Sequence, residues 1–205
     1  MSGQDWFRNT EWNALVERTF EEKLRRARQK SQYLRIQANA LAESHPAVAL
    51  QLLRRYFELE DKFDWAQAYC DQATASLSLG RLADAVSCYE KALHREAEST
   101  NLKTQAYLEL PFLIATRRLQ DRFDQAEQIL KNHRSRLTFP VERFMWHSSW
   151  ALIAHSRGDG VRASEHASQA LIEAQQRYSG MQYHPVIGLV SQRHQALIDD
   201  LTRIL

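Results

Sequence analysis

The stretch from Tyr69 to Leu93 reads YCDQATASLSLGRLADAVSCYEKAL, and it is the part of the chain most informative about the fold. Apolar side chains recur at steps of three and four residues on both sides of Gly80, as they do in amphipathic helices. Glycine readily adopts the left-handed backbone that follows a helix, so Gly80 predicts a turn. Small side chains at Ala73 and Ala85 let two helices approach closely, and Tyr89 fills the space beside them. The stretch therefore predicts a helical hairpin that stacks on neighbouring hairpins.

Alanines equivalent to Ala85 recur along the chain. Ala49, Ala85, Ala126 and Ala163 are separated by 36, 41 and 37 residues. Recurrence at a spacing of this size is typical of helical repeat proteins, in which each repeat buries its apolar face against the next. We therefore expect several hairpins of similar length, with the extra residues mainly between them.

Helix boundaries follow from caps and breakers. Thr10 is a candidate N-cap for the first helix, Pro46 suits the first turn of the third, and Gly158 ends another. Pro111 lies inside a predicted helix, so a kink or an offset start is expected there. The predicted helices cover residues 10–29, 31–42, 46–57, 65–79, 83–96, 102–119, 123–137, 142–157, 161–178 and 188–205.

The hairpin resembles the tetratricopeptide repeat family. The resemblance depends on Gly80 between the helices, on Ala85 and Ala92 in the second helix, and on Tyr89 between them; the family's usual proline is replaced by Ala97. It implies an all-α, right-handed superhelix, a TPR-like solenoid of about four hairpins with capping helices at both ends. The implied segments are an N-terminal tail and cap at 1–29, hairpins at about 30–60, 65–97, 102–137 and 142–178, and a loop and C-terminal cap at 179–205.

The composition is that of a globular protein rather than a membrane or strongly nucleic-acid-binding one. Apolar residues make up 44% and charged residues 25%, and the formal net charge is only +2. The longest apolar run, Leu110–Ala115, is too short to span a bilayer, and Ser2 removes a myristoylation start. Cys70 and Cys88 are expected to be buried free thiols. We expect a cytoplasmic protein, and the arginine-rich composition suggests a bacterial one.

The sequence contains no catalytic or metal-binding constellation that we recognise. Gly158-Asp159-Gly160 lacks the Lys-Ser/Thr of a phosphate-binding loop, and the eight histidines have no ligand spacing. Trp146, His147 and Trp150, with His155, could resemble a site, but at this helical spacing the two tryptophans are interpreted as core and interface residues. We therefore expect a protein that is not an enzyme and that carries no cofactor and no metal.

The family resemblance implies a concave groove lined by one face of each first helix. This groove would be polar at one end and apolar at the other, which suits an amphipathic helix or an extended peptide with hydrophobic anchors. Alternatively, the segment Tyr183–Val190 or the last helix fills its apolar half. The lysine, arginine and asparagine clamp that binds peptide carboxylates in this family is absent. The predicted groove residues are Arg35, Gln67, Asp71, Thr74, Leu108, Phe112, Arg118, Met145, Ser148, Leu152 and His155.

Three functional hypotheses follow. The first is an adaptor or scaffold that binds a peptide or a partner domain in the groove. The second is a dedicated chaperone or neutraliser of one secreted protein, which the sequence does not separate from the first. The third is a nucleic-acid-associated regulator that uses the basic run Arg25, Arg26, Arg28 and Lys30, although four nearby glutamates offset its field. The exposed end of a repeat stack would also allow a homodimer.

Overall fold

The computed structural model describes residues 5–98 and 102–205; Ser2 lies outside them. These residues form ten α-helices and no β-strand, which confirms the all-α class. The helices are α1 Ala14–Arg26, α2 Lys30–Leu41, α3 Pro46–Glu58, α4 Trp65–Ser78, α5 Leu82–Glu98, α6 Ala106–Thr116, α7 Phe123–His133, α8 Pro140–Ser156, α9 Gly160–Ala174 and α10 Gln195–Ile204, with short 3-10 helices at Gln120–Arg122, Arg134–Arg136 and Gln192–His194. No helix among these residues is long and apolar enough to cross a membrane.

The chain forms two compact units, Met1–Ala106 and Tyr107–Leu205. In the first unit, α2 packs on α3 and α4 packs on α5, as expected of hairpins joined by short turns. Helix α4 also packs on both α2 and α3, so the second hairpin continues the stack of the first. The core between these helices includes the fully buried Leu41, Leu53 and Tyr56.

The second unit repeats this three-helix relationship. Helices α8 and α9 form a hairpin, and α10 packs on both of them, as α4 packs on α2 and α3. Leu201 of α10 is fully buried, as are Phe144 and Ile153 of α8. The last helix therefore packs against the α8–α9 hairpin and buries Leu201 there.

The four marker alanines occupy equivalent places. Ala49, Ala85, Ala126 and Ala163 are each the fourth residue of their helix, namely α3, α5, α7 and α9. Each of the four is 0% exposed. The spacing read from the sequence therefore corresponds to the same position, a buried fourth residue, in each of these four helices.

Glycine turns lie where they were predicted. Gly80 and Gly158 have φ angles of +71° and +77°, in the left-handed region that favours glycine. Pro46 is the first residue of α3, also as predicted. Helix α6 begins at Ala106 rather than at residue 102, so the predicted start was wrong, and Pro111 lies inside the helix.

Several predicted boundaries were wrong, among them the starts of α1 and α10 and the end of α9. Helix α1 is capped by Asn13, whose side-chain oxygen accepts hydrogen bonds from the backbone N–H of Leu15 and Val16, so it does not begin at Thr10. Helix α9 ends at Ala174 rather than at residue 178. The last helix begins at Gln195 rather than at Gly188, because Gly188 has a φ of +67° and its carbonyl accepts a hydrogen bond from Val141 N.

Candidate functional site

Three predicted groove residues of the first unit contact one another. Asp71 on α4 is 1% exposed, and its Oδ2 accepts a hydrogen bond from Arg35 Nη1 of α2 at 3.3 Å. Its Oδ1 accepts from Gln67 Nε2 at 3.1 Å and from Asn39 Nδ2 at 2.8 Å. Arg35 also binds Asp64 through Nε at 3.1 Å. This face of α4 is therefore occupied by a polar network of the protein's own side chains.

The electrostatics of Asp71 reflect competition between burial and hydrogen bonding. Burial raises the pKa of its carboxyl group above the ordinary value, while Gln67, Arg35 and Asn39 oppose this by stabilising the carboxylate. Thr74, the fourth predicted residue here, is half-buried and donates its hydroxyl to the backbone carbonyl of Cys70. The network is thus better suited to fixing α2 on α4 than to receiving a partner.

The predicted groove residues of the second unit differ in accessibility. Leu108, Met145 and Ser148 are buried, at 2%, 7% and 0% exposure, so a partner cannot reach them without repacking. The remaining four are half-buried or exposed: Phe112, Leu152, Arg118 and His155. Of the alternative segments, Tyr183 and Val186 are 83% and 73% exposed, whereas the last helix packs on α8 and α9 with Leu201 fully buried.

An open groove lies on the other face of α4, between α3 and α5. Its larger part is a cavity of about 610 Å³, and an adjoining cavity of about 410 Å³ shares Ser87 and Lys91 with it. We call the two together the α5 groove. It is lined by Leu50, Arg54, Phe57, Glu58, Trp65, Tyr69, Gln72, Ser76, Arg81, Asp84, Ser87, Cys88, Glu90, Lys91, His94, Arg95 and Glu98.

Helical geometry explains why the two faces of α4 are separate. Successive residues turn by roughly 100° about a helix axis, so Tyr69 points roughly half a turn away from Gln67 and Asp71. On α5, Ser87, Lys91 and His94 lie on one stripe at steps of three and four residues. The α5 groove therefore uses side chains that the family-based mapping did not select.

Aromatic side chains form part of the groove wall. Phe57 of α3 stacks on Tyr69 of α4, with ring centroids 4.9 Å apart and an interplanar angle of 26°. Trp65 meets Phe57 edge-on at 5.8 Å. Lys91 Nζ lies 5.9 Å from the Tyr69 ring centroid, within the range of a cation–π contact. These rings offer apolar and aromatic surface to a partner side chain.

The groove walls carry charges of both signs. Among the described residues, Arg54, Arg81 and Lys91 have no carboxylate within 4.0 Å, whereas Arg95 binds Glu98 at 2.7 Å. Burial raises the pKa of the Cys88 thiol, so this thiol is a poor nucleophile near neutral pH. The arrangement suits binding of side chains and does not resemble a nucleophile activated by a base.

The second unit also contains an aromatic and histidine cluster. Trp146 and Trp150 are buried, as expected of core and interface residues, while His155 is exposed. The partner of His147 is His166 of α9, and the two Nδ1 atoms are 3.0 Å apart. Sequence reasoning missed His166 because it lies 19 residues away on a different helix. Among the described residues, no group of three or more His, Cys, Asp or Glu side chains could hold a metal ion.

Comparison of the chain with protein-family models, with curated proteins and with solved structures found no match.

Proposed function

We propose that this protein is a non-enzymatic scaffold for protein–protein interaction, built from TPR-like helical repeats. Two observations support repeats of this kind. The marker alanines are each the fully buried fourth residue of a helix, in α3, α5, α7 and α9. The packing of α4 on α2 and α3 recurs as the packing of α10 on α8 and α9. A right-handed superhelix, as in the tetratricopeptide family, is part of the proposal.

The partner binds in the α5 groove. The observation that carries this is the pair of adjoining cavities, of about 610 and 410 Å³, with Phe57, Tyr69 and Trp65 at their walls. An amphipathic helix or an extended segment would place apolar side chains against these rings. Its charged side chains would face Arg54 and Lys91.

The free energies of burial and of binding set the expected affinity. Two apolar anchors that become fully buried contribute about 3–6 kcal/mol. A micromolar complex requires about 8 kcal/mol. The difference, together with the cost of immobilising the partner, must come from the charged walls and from further contacts. We therefore expect micromolar binding that weakens as salt is added.

A cytoplasmic, bacterial adaptor fits the free and buried state of Cys70 and Cys88 and the arginine-rich composition. A dedicated chaperone or neutraliser of one secreted protein would use the same surface, and identification of the captured partner separates the two roles.

The test compares partner capture by two variants that introduce the same side chain, tyrosine. Ser87→Tyr fills the centre of the α5 groove, because Ser87 lines both cavities. Thr74→Tyr places a ring on the opposite, originally predicted face of α4. Partners are captured from the source cell with the purified wild-type protein and identified by mass spectrometry, and their affinities for each variant are then measured.

Loss of binding in Ser87→Tyr with retention in Thr74→Tyr supports the α5 groove. Loss of binding in Thr74→Tyr with retention in Ser87→Tyr places the site on the Thr74 face of α4 instead. Binding that neither variant changes rejects both surfaces, and failure to capture any protein rejects the scaffold function. Circular dichroism checks that both variants keep the helical content of the wild type.

A further inference from the structure

Two imidazoles from neighbouring helices of the second unit face each other. His147 lies on α8 and His166 on α9, and their Nδ1 atoms are 3.0 Å apart. We call these two side chains the imidazole pair. A contact of this length between two ring nitrogens is a hydrogen bond only when one nitrogen carries a proton and the other has a free lone pair. The geometry therefore restricts the protonation of the pair.

Tryptophans hold both rings in place. The Trp146 ring meets His147 edge-on, with centroids 4.8 Å apart and an interplanar angle of 82°. The Trp150 ring is nearly parallel to His166, at 5.7 Å and 17°. Both indoles are buried, at 7% and 4% exposure. Each half-buried imidazole thus contacts a buried tryptophan of α8 as well as the other imidazole.

The surroundings disfavour a positive charge on the pair. Burial is the largest cause, and it lowers the pKa of His147 to about 4, with further contributions from His166, Arg134 and Arg143. The pKa of His166 is also lowered, first by burial and then by Arg162, with Arg134 adding to this and Glu165 opposing it. The charged groups facing the pair thus come from the 3-10 helix after α7, from α8 and from α9.

Tryptophan faces often stabilise a nearby cation, but these already have cations of their own. Arg134 lies 5.5 Å from the Trp146 ring centroid. Lys131 and Arg162 lie 5.4 Å and 5.0 Å from the Trp150 ring. An additional imidazolium would therefore add to the repulsion among these cations.

The imidazole pair is better suited to binding protons than to binding a metal ion. The described residues supply no third His, Cys, Asp or Glu side chain to complete a site. The arginines whose charge opposes protonation of the pair would also oppose a divalent cation.

We propose that the imidazole pair is an acid-sensitive contact that holds α8 on α9 near neutral pH and loosens the second unit when both rings are protonated. The first proton taken from solvent leaves a charge-assisted hydrogen bond between one imidazolium and one neutral ring. The second proton binds the remaining free Nδ1 lone pair and removes the acceptor. Two N–H groups then face each other between the tryptophans. This device lies in the second unit and does not depend on the α5 groove.

The sign of the effect follows from linkage. An unfolded chain binds these protons with a pKa of about 6.5, whereas the folded pair binds them only at lower pH. The unfolded state therefore holds more protons between about pH 6.5 and about pH 4. The stabilising contribution is complete above this window and is lost as the pH falls through it.

The first experiment follows thermal unfolding of the full chain from about pH 7.5 to about pH 4.5. It compares the wild type with His147→Asn, His166→Asn and the control His155→Asn, an exposed position on α8. Asparagine keeps a hydrogen-bonding group at the δ position and does not titrate. We expect the acid-induced fall in midpoint to be smaller in His147→Asn and His166→Asn than in the other two proteins. Equal falls in all four proteins would overturn the proposal.

The second experiment observes the histidine side chains of the folded wild type by NMR. His147 is expected to remain neutral at pH 6, where an ordinary histidine is largely protonated. Titration of His147 near 6.5 would contradict the proposal even if a variant failed to fold. Added Zn²⁺ should not raise the unfolding midpoint, and a rise that disappears in both pair variants would assign the site to a metal instead.

Discussion

Gln37 of α2 and Asn9 of the preceding segment bind each other through three hydrogen bonds. Gln37 Oε1 accepts from the backbone N of Asn9 at 3.1 Å and from its Nδ2 at 2.8 Å. Gln37 Nε2 donates to the Asn9 carbonyl at 2.7 Å. Gln37 is 0% exposed, and the adjacent Trp6 ring packs on Phe20 and Tyr33. Trp6 and Asn9, which precede α1, are thus part of the first unit's structure.

Replacing Gln37 by Leu should destabilise the first unit by about 2–4 kcal/mol, because it leaves the N–H and C=O of Asn9 without partners. The measurement is urea unfolding followed by the fluorescence of the five tryptophans, three of which, Trp6, Trp12 and Trp65, lie in the first unit. Gln32→Leu is the control, since Gln32 is exposed on the same helix. Equal effects of the two substitutions would show that the three hydrogen bonds do not stabilise the fold.

This contact shows one limit of sequence reasoning. The hairpins were predictable because apolar steps, glycine turns and the recurring alanines are local or periodic signals. Asn9 and Gln37 are 28 residues apart and belong to no repeat, so nothing in the pattern pairs them. The same holds for His147 and His166, which meet only because α8 and α9 pack together.

Asp71 should tolerate Asn but not Leu. Leu removes the carboxylate that accepts hydrogen bonds from Arg35, Asn39 and Gln67. These part-buried donors then lack that acceptor, which should lower the free energy of unfolding by about 3 kcal/mol. Asn keeps an oxygen that can accept from Asn39 and Gln67 and removes a carboxylate whose burial is unfavourable, so a loss of about 1 kcal/mol is expected. Chemical denaturation of the three proteins checks this order. A Leu variant as stable as the Asn variant would mean that the network contributes nothing to the fold.

The sequence also could not predict which face of α4 is open to a partner. Of the predicted set, Arg35 and Gln67 both hydrogen-bond to Asp71, between α2 and α4. Whether such a face is open depends on side chains that reach across from neighbouring helices, and Arg35 and Asn39 close this one. Phe57, Tyr69 and Lys91 form the opposite wall by tertiary packing, and their spacing alone is equally typical of a core.

Gly188→Ala should destabilise the second unit by about 2–4 kcal/mol. A Cβ at this position would lie 2.5 Å from Phe139 Cγ, and the φ of +67° disfavours any other residue. Gly180→Ala is the matched control, because Gly180 also has a positive φ, of +85°, but its Cβ would meet nothing within 4 Å. The control should lose only about 1 kcal/mol from backbone strain. Differential scanning calorimetry measures the stability of both variants. Equal losses of stability would show that the contact with Phe139 does not contribute.

Ala85→Leu should destabilise the first unit by about 1–3 kcal/mol or more, because Ala85 is 0% exposed where α5 packs on α4. Ala83→Leu provides the control: Ala83 is exposed on the same helix, and leucine is nearly as good a helix former as alanine. Ala163→Leu tests the equivalent position of the second unit and should behave like Ala85→Leu. If the four marker alanines form one repeated packing position, both core substitutions lower the unfolding midpoint while Ala83→Leu leaves it nearly unchanged. An unchanged unfolding midpoint for leucine at either site would show that the helices of the two hairpins do not pack equally closely there. The repeat interpretation would then lose its main structural support.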